Sequence, residues 1–266
     1  MRDAISMTID EALETLHELA DPTTIEGKAA YHKIDRPYTG TNNQILNDIG
    51  KEWRRALDLD QRIALARGLW DTNIFEGRVM ASKLLTQARI RPDQAVWNLI
   101  TRWVDDFDSW AIADHACMAG QKRVVADPAR LDQVETWITS DHMWRRRAAF
   151  IITLPYTKQN FPKPDEIQAR ERILGWAAEL VNDHDWFIQK AIAWWVRDLS
   201  RHDTVRAKNF LTKFGDDLKP FARKEAARHM KKRARKILQA KPRKSYLNPC
   251  DYAAITLTYP HDCTVD

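Results

Sequence analysis

Residues 101–120 read TRWVDDFDSWAIADHACMAG, and residues 135–150 read ETWITSDHMWRRRAAF. Each stretch carries two tryptophans seven residues apart, Trp103 and Trp110 in the first, Trp137 and Trp144 in the second. The second pair follows the first by 34 residues. A self-similarity of that length is the period of stacked helix pairs, in which each unit buries its apolar face only against its neighbours. The Trp, Gly and Tyr pattern of TPR units is missing, so irregular HEAT-like pairs fit better. The expected fold is all-α, an α-solenoid of antiparallel helix pairs whose concave face is an extended binding surface.

Helical periodicity runs outward from this pair in both directions. Residues 7–20 predict a helix with Thr8 as its cap and Leu13, Leu16 and Leu19 on one face. Ile45, Ile49, Trp53 and Leu57 repeat every four residues over 42–57. Further helices are expected over 60–70, 73–88, 93–104, 108–121, 127–139, 142–154, 165–182, 184–200, 203–214 and 217–238. The breaks at Asp21-Pro22, Arg91-Pro92, Asp127-Pro128 and Phe161-Pro162-Lys163-Pro164 suit helix boundaries, because a residue before proline avoids the α region. Asp141, Asp183 and Asp203 are candidate N-caps. No alternating strand pattern stands out. Residues 1–240 read as one repeat domain. Residues 241–266, with three prolines and no apolar stripe, read as an extended C-terminal tail.

The 266 residues suffice for a sizeable core, and 44% hydrophobic with 30% charged content is ordinary for a soluble globular chain. Eight glycines argue against a doubly wound nucleotide-binding fold and against a turn-rich β fold. Eleven tryptophans exceed what core filling alone calls for. Cys117, Cys250 and Cys263 have no metal spacing and no even framework, so a reducing, cytoplasmic setting is expected. Neither a signal peptide nor a membrane-spanning run is expected. The net charge is +5, but its distribution matters more. Lys219 to Lys244 holds twelve Lys or Arg and one acid, Glu225, whereas Asp105-Asp106-Phe107-Asp108 is acidic. Such a basic run points to a polyanion or simply to a solvated face.

Several residues suggest chemistry, each with a plainer reading beside it. Trp110 and Asp114 lie one turn apart on a helix face. An indole face attracts cations and a carboxylate stabilises positive charge. The plainer reading is a core Trp beside a surface acid. Adjacent Trp194 and Trp195 point about 100° apart on a helix, so one of them faces a surface or cleft, or packs on a neighbouring repeat. Arg145, Arg146 and Arg147 sit at a helix start, where free N–H groups also favour anions. They serve phosphates or are merely solvated. The basic 223–236 run reads as an amphipathic helix with the same two options. His115, next to Asp114, is a possible base or a structural histidine. There is no phosphate-cradling Gly loop, no nucleophile elbow and no HExxH, and neither a metal nor a cofactor is expected.

Three segments together resemble a known family. They are Phe107–Asp114 with its Trp-x-x-x-Asp, Trp137–Ala149 with its arginines at a helix start, and Asp185–Trp194 with Lys190-Ala191-Ile192-Ala193-Trp194, followed by Arg197-Asp198. Leu69-Trp70, Glu76 and Lys224-Glu225-Ala226 fit less specifically. In this order they resemble the HEAT-like-repeat DNA alkylation repair glycosylases of the AlkC and AlkD type, nearest to AlkD, over about 8–238. The resemblance implies a bacterial, monomeric enzyme that excises cationic N3- or N7-alkylated purines, such as 3-methyladenine and 7-methylguanine, from double-stranded DNA. It implies that Trp110, Asp114 and Trp194 form the catalytic cleft. Arg147, with Arg145, Arg146 and Lys190, would contact DNA, as would Tyr31 and Asn42 at helix edges. The chain departs from the family's pattern at Ala111 and Ala113, where an acid and a Val are usual, and at Asn42, usually Gln.

The implied chemistry suits these residues. An alkylated purine is already cationic and leaves without a general acid. Breaking its glycosidic bond builds oxocarbenium character on the sugar. Asp114 would stabilise that charge and could position a water, with Trp110 and Trp194 flanking the sugar. The family leaves the lesion against the duplex, so a shallow cleft is expected rather than a base-flipping pocket. The alternatives are a catalytically inactive HEAT-repeat DNA-binding protein and a protein-binding α-solenoid.

Overall fold

In the computed structural model, residues 7–230 are described. All of their regular structure is helical. The α-helices are α1 (Ile9–Glu18), α2 (Ile25–His32), α3 (Asn43–Ala56), α4 (Leu59–Asp71), α5 (Phe75–Leu85), α6 (Gln94–Trp103), α7 (Trp110–Ala126), α8 (Leu131–Glu135), α9 (Met143–Ile152), α10 (Pro164–Glu179), α11 (Trp186–His202), α12 (Thr204–Phe214) and α13 (Pro220–Ala226). Short 3₁₀ turns occupy Pro22–Thr24, Val104–Asp106, Pro128–Arg130 and Leu154–Thr157.

The starts of these helices follow from local chemistry. Thr8 and Glu11 form a reciprocal capping box on α1, and Asp58 and Gln61 do the same on α4. Asn42, Ser109 and Asp203 each accept a backbone N–H of the helix that follows. Pro164 and Pro220 sit in the first turns of α10 and α13, where their missing N–H costs nothing.

The helices pack as two rows. In one row α3, α5, α7, α9, α11 and α13 each lie against the next. In the other, α4 backs α5 and touches α6, α6 backs α7, and α12 backs α11. This is a stack of helix pairs, as the tryptophan spacing predicts. Trp70, Trp103, Trp137 and Trp176 recur at about one period and are all fully buried. Trp70 stacks on Trp103 with ring centroids 4.2 Å apart, and Trp97 on Trp137 at 6.4 Å.

The same period organises the polar contacts between repeats. Trp70 Nε1 donates to Asp106 and Trp97 Nε1 to Gln133, both 36 residues on. Arg130 and Arg123 converge on Asp93. Arg123, fully buried, also donates to the carbonyls of Gln87, Ala88 and Ile90, so one guanidinium fixes the connection between α5 and α6. Where α7 meets α9, Gly120 permits close approach. A Cβ there would lie 2.4 Å from Ile152 Cδ1.

Four expectations need correction. Helix α2 was not anticipated from the sequence. It buries none of its residues, so it carries no apolar stripe to read, and it ends at Lys33 in the left-handed region. The helix expected over 127–139 is a 3₁₀ turn followed by the short α8. Asp141 and Asp183 do not cap helices; α9 starts from His142 and α11 from Asp185, while Asp183 accepts the N–H of Asp185. The helix expected over 217–238 is seen as α13 with turns to residue 229. The remainder of that basic run and the 241–266 tail lie outside the described residues.

Candidate active-site cleft

A cleft of about 280 Å³ opens where α3, α5 and α7 meet the end of α2. Its walls include Phe75, Val79, Trp110 and Met118, and its polar groups include His32 and Asp114. The lining of the cleft is mainly apolar.

Its upper edge is built around Glu76. This carboxylate on α5 is fully buried. It accepts the N–H groups of Thr39 (2.8 Å) and Gly40 (3.2 Å) and an ion pair from Lys28 (2.9 Å). A buried charge is tolerated when it is paired and hydrogen-bonded in this way. Gly40 has φ of 94°, and a Cβ there would lie 2.6 Å from the carbonyl oxygen of Asp21, so the turn requires glycine. Lys28 also donates to the Thr41 carbonyl at 2.6 Å. Together these bonds pin α2, and with it Tyr31 and His32, beside the start of α7.

Ser109 caps α7, which makes Trp110 its first residue. The Trp110 ring meets Tyr31 edge-on at 5.7 Å and His32 at 5.5 Å. His32 also stacks on Phe75 at 4.5 Å. Thus Tyr31, assigned to a helix edge, stands against Trp110, largely exposed. One turn further along α7, Asp114 is 22% exposed at its side chain. Arg147 on α9 donates from Nη1 to Asp114 Oδ1 at 2.5 Å. No hydrogen bond to Asp114 Oδ2 is present among the described residues.

That ion pair bears on one expectation: Arg147 is not an exposed hand for phosphate but the partner of Asp114. The Arg147 side chain is 4% exposed and lies 5.8 Å from the Trp144 ring. Arg146 is likewise committed inside the protein. Its Nε donates to Asp183, Nη2 to Asp185 and Nη1 to the carbonyls of Ser140 and Asp141. Every guanidinium nitrogen is used, so Arg146 fastens the ends of two repeats instead of reaching for DNA. Arg145 is the most exposed of the three and lies 3.3 Å from Asp105. The acidic run is similarly occupied, with Asp106 taken by Trp70 and Asp108 by Arg36.

Trp194 sits on α11, with α9 and Arg147 between it and α7 in the row. Its neighbour Trp195 is fully buried, while Trp194 stays partly exposed and donates from Nε1 to Asp198 at 3.0 Å. Lys190 is exposed, its ammonium 4.6 Å from the Trp186 ring centre. Asn42 is exposed, but its Oδ1 is taken as the cap of α3, 2.9 Å from the Ile45 N–H.

Two histidines line the cleft and both are biased towards the neutral form. Burial pushes His115 down to about 4, helped by Lys83 and His32. Burial, then Lys28, lowers His32 as well, with Glu76 opposing. A general-base role for His115 is weakened accordingly. Two uncharged imidazoles also add no positive charge beside Asp114. Sequence reasoning missed His32, because nothing in the pattern revealed α2. The nearest approach to a metal-ligand set among the described residues is Asp183, His184 and Asp185, but Arg146 pairs with both carboxylates.

No curated protein matches the sequence. The fold is similar to that of a predicted DNA alkylation repair enzyme from Enterococcus faecalis, with TM-score 0.65 and 17% identity over 78% of this chain and 95% of that one. It is also similar to AlkD2 from Streptococcus mutans, with TM-score 0.57 and 14% identity over 83% of this chain and 98% of that one. At these identities the likeness establishes the fold alone. A family model described as DNA alkylation repair enzyme matches residues 12–230, most of the chain. The chain therefore belongs to the DNA alkylation repair enzyme family.

Proposed function

We propose that the protein is a monofunctional DNA glycosylase that releases cationic N3- or N7-alkylated purines from duplex DNA. The observation that carries this reading is the Asp114 carboxylate, held by Arg147 and set with Trp110 in a mainly apolar cleft. A low-polarity wall strengthens the field of a fixed carboxylate on a developing sugar cation. The alkylated base leaves as a neutral purine, so the site needs no proton donor. Neutral His32 and His115 are consistent with a pocket that must accept positive charge. Tyr31 and Trp194 would contact the strand near the lesion, and exposed Lys190 and Arg145 would face its phosphates. The protein would act as a monomer in the cytoplasm, on the nucleoid. No helix among the described residues is long and apolar enough to cross a membrane.

The ion pair on Asp114 also favours a second reading, a DNA-binding protein without catalysis, because Arg147 already neutralises part of the charge the reaction would use. Methylated duplex DNA separates the two. The glycosylase reading expects free 7-methylguanine and abasic sites to form faster than the spontaneous rate. Duplex binding without base release would leave the second reading in place.

A further inference from the structure

A second opening, of about 210 Å³, adjoins the Asp114 cleft and shares His115 and Met118 with it. Its polar lining is of a different kind. Lys51 and Arg54 come from α3 and Lys83 from α5, with Asn47 and Thr86 between them. Three cations therefore line one small opening, and no carboxylate lines it.

Lys83 is the unusual member. Only 8% of the residue is exposed. Its ammonium donates to Asn47 Oδ1 at 2.5 Å, and no carboxylate among the described residues pairs with it. Arg54 is partly buried and donates from Nη1 to the Lys83 carbonyl, which brings a second cation to the same place. Arg54 also has no carboxylate partner among the described residues. Behind it, Arg55 and Arg62 add further positive charge. His115, facing from α7, is neutral. Only the exposed Lys51 is paired, with Asp48. Burying an ammonium beside a guanidinium without an anion is unfavourable. The free protein registers this, with Lys83 lowered to about 8 by burial and by Arg54.

A tetrahedral oxyanion would supply the missing charge. Lysine and arginine bind phosphate by charge-assisted hydrogen bonds, and the side-chain amide of Asn47, whose oxygen accepts from Lys83, can add a neutral N–H donor. We propose that this opening is a phosphate pocket in which Lys83, Arg54 and Lys51 hold one phosphodiester of the bound DNA strand next to the Asp114 cleft. The proposal rests on the DNA reading above. It would give the protein a fixed register point on the backbone, one independent of base identity.

The test measures binding of undamaged duplex to wild type, Lys83→Gln and Lys51→Gln across salt concentrations. Calorimetry in buffers of different ionisation enthalpy then counts protons, and inorganic phosphate is titrated in parallel. In wild type, binding at pH 8 should take up roughly half a proton as phosphate restores the Lys83 charge. Lys83→Gln should abolish that uptake and reduce the salt slope by about one. Exposed Lys51→Gln, chosen because it leaves the interior intact, should reduce the slope without abolishing uptake. Duplex binding with slope and proton count unchanged in Lys83→Gln would overturn the pocket and leave the DNA reading standing. Binding of inorganic phosphate but not duplex, lost in Lys83→Gln, would keep the pocket and remove the DNA reading. Binding of neither would overturn both.

Discussion

At the scale of single residues, the account turns on which partner Arg147 serves. Its side chain is buried at the α7–α9 contact and its Nη1 rests on Asp114. An arginine in that position fixes the direction of the carboxylate, and small errors in that direction are costly to a reaction that depends on charge placement. Removing it with Arg147→Ala should lower single-turnover base release by about tenfold to a hundredfold, while the salt slope for duplex binding stays unchanged. A slope lower by about one with an unaffected rate would show that Arg147 holds phosphate, as the family resemblance implies. Arg146 carries the contrasting lesson. Sequence alone gives three equivalent arginines, yet two are drawn inward by Asp114, Asp183 and Asp185, which lie 33 to 39 residues away. Spacing within a helix tells which face a residue occupies but not which distant carboxylate waits there.

At the scale of elements, most helices were legible because each has an apolar stripe and a polar or proline start. α3, with Leu46, Ile49 and Trp53 buried, is one such case. α2 was not legible for the opposite reason, since it buries nothing and is held by the Lys28–Glu76 pair and by the Lys28 bond to the Thr41 carbonyl. With it went His32 and the contact of Tyr31 on Trp110. The Lys83 pocket escaped for a related reason, because its cations lie on two different helices and only packing brings them together. Connections between elements depend on similar long-range bonds. Arg123 satisfies three carbonyls of the α5–α6 connection and pairs with Asp93. Arg123→Met should therefore destabilise the fold by about 3 kcal/mol, read from denaturant unfolding. A loss within the ordinary surface range of about 0.5 kcal/mol would show that this guanidinium does not fasten the connection.

At the scale of the molecule, the repeat explains why the site is where it is. Stacking sets α5, α7, α9 and α11 side by side, so residues one period apart become neighbours. Asp114 and Arg147 are such a pair, and the tryptophans Trp103 and Trp137 mark the same step in the core. The 34-residue echo in the sequence was thus a record of the fold, while contacts across the step, such as Arg147 on Asp114, emerged only from packing. The most direct measurement is the single-turnover rate of 7-methylguanine release from methylated duplex by wild type and by Asp114→Asn, with duplex affinity measured on both. Asn keeps the shape and can still accept the Arg147 hydrogen bond but removes the negative charge. The account predicts a rate lower by about a hundredfold to a thousandfold at nearly unchanged affinity. Equal rates in the two proteins would contradict it.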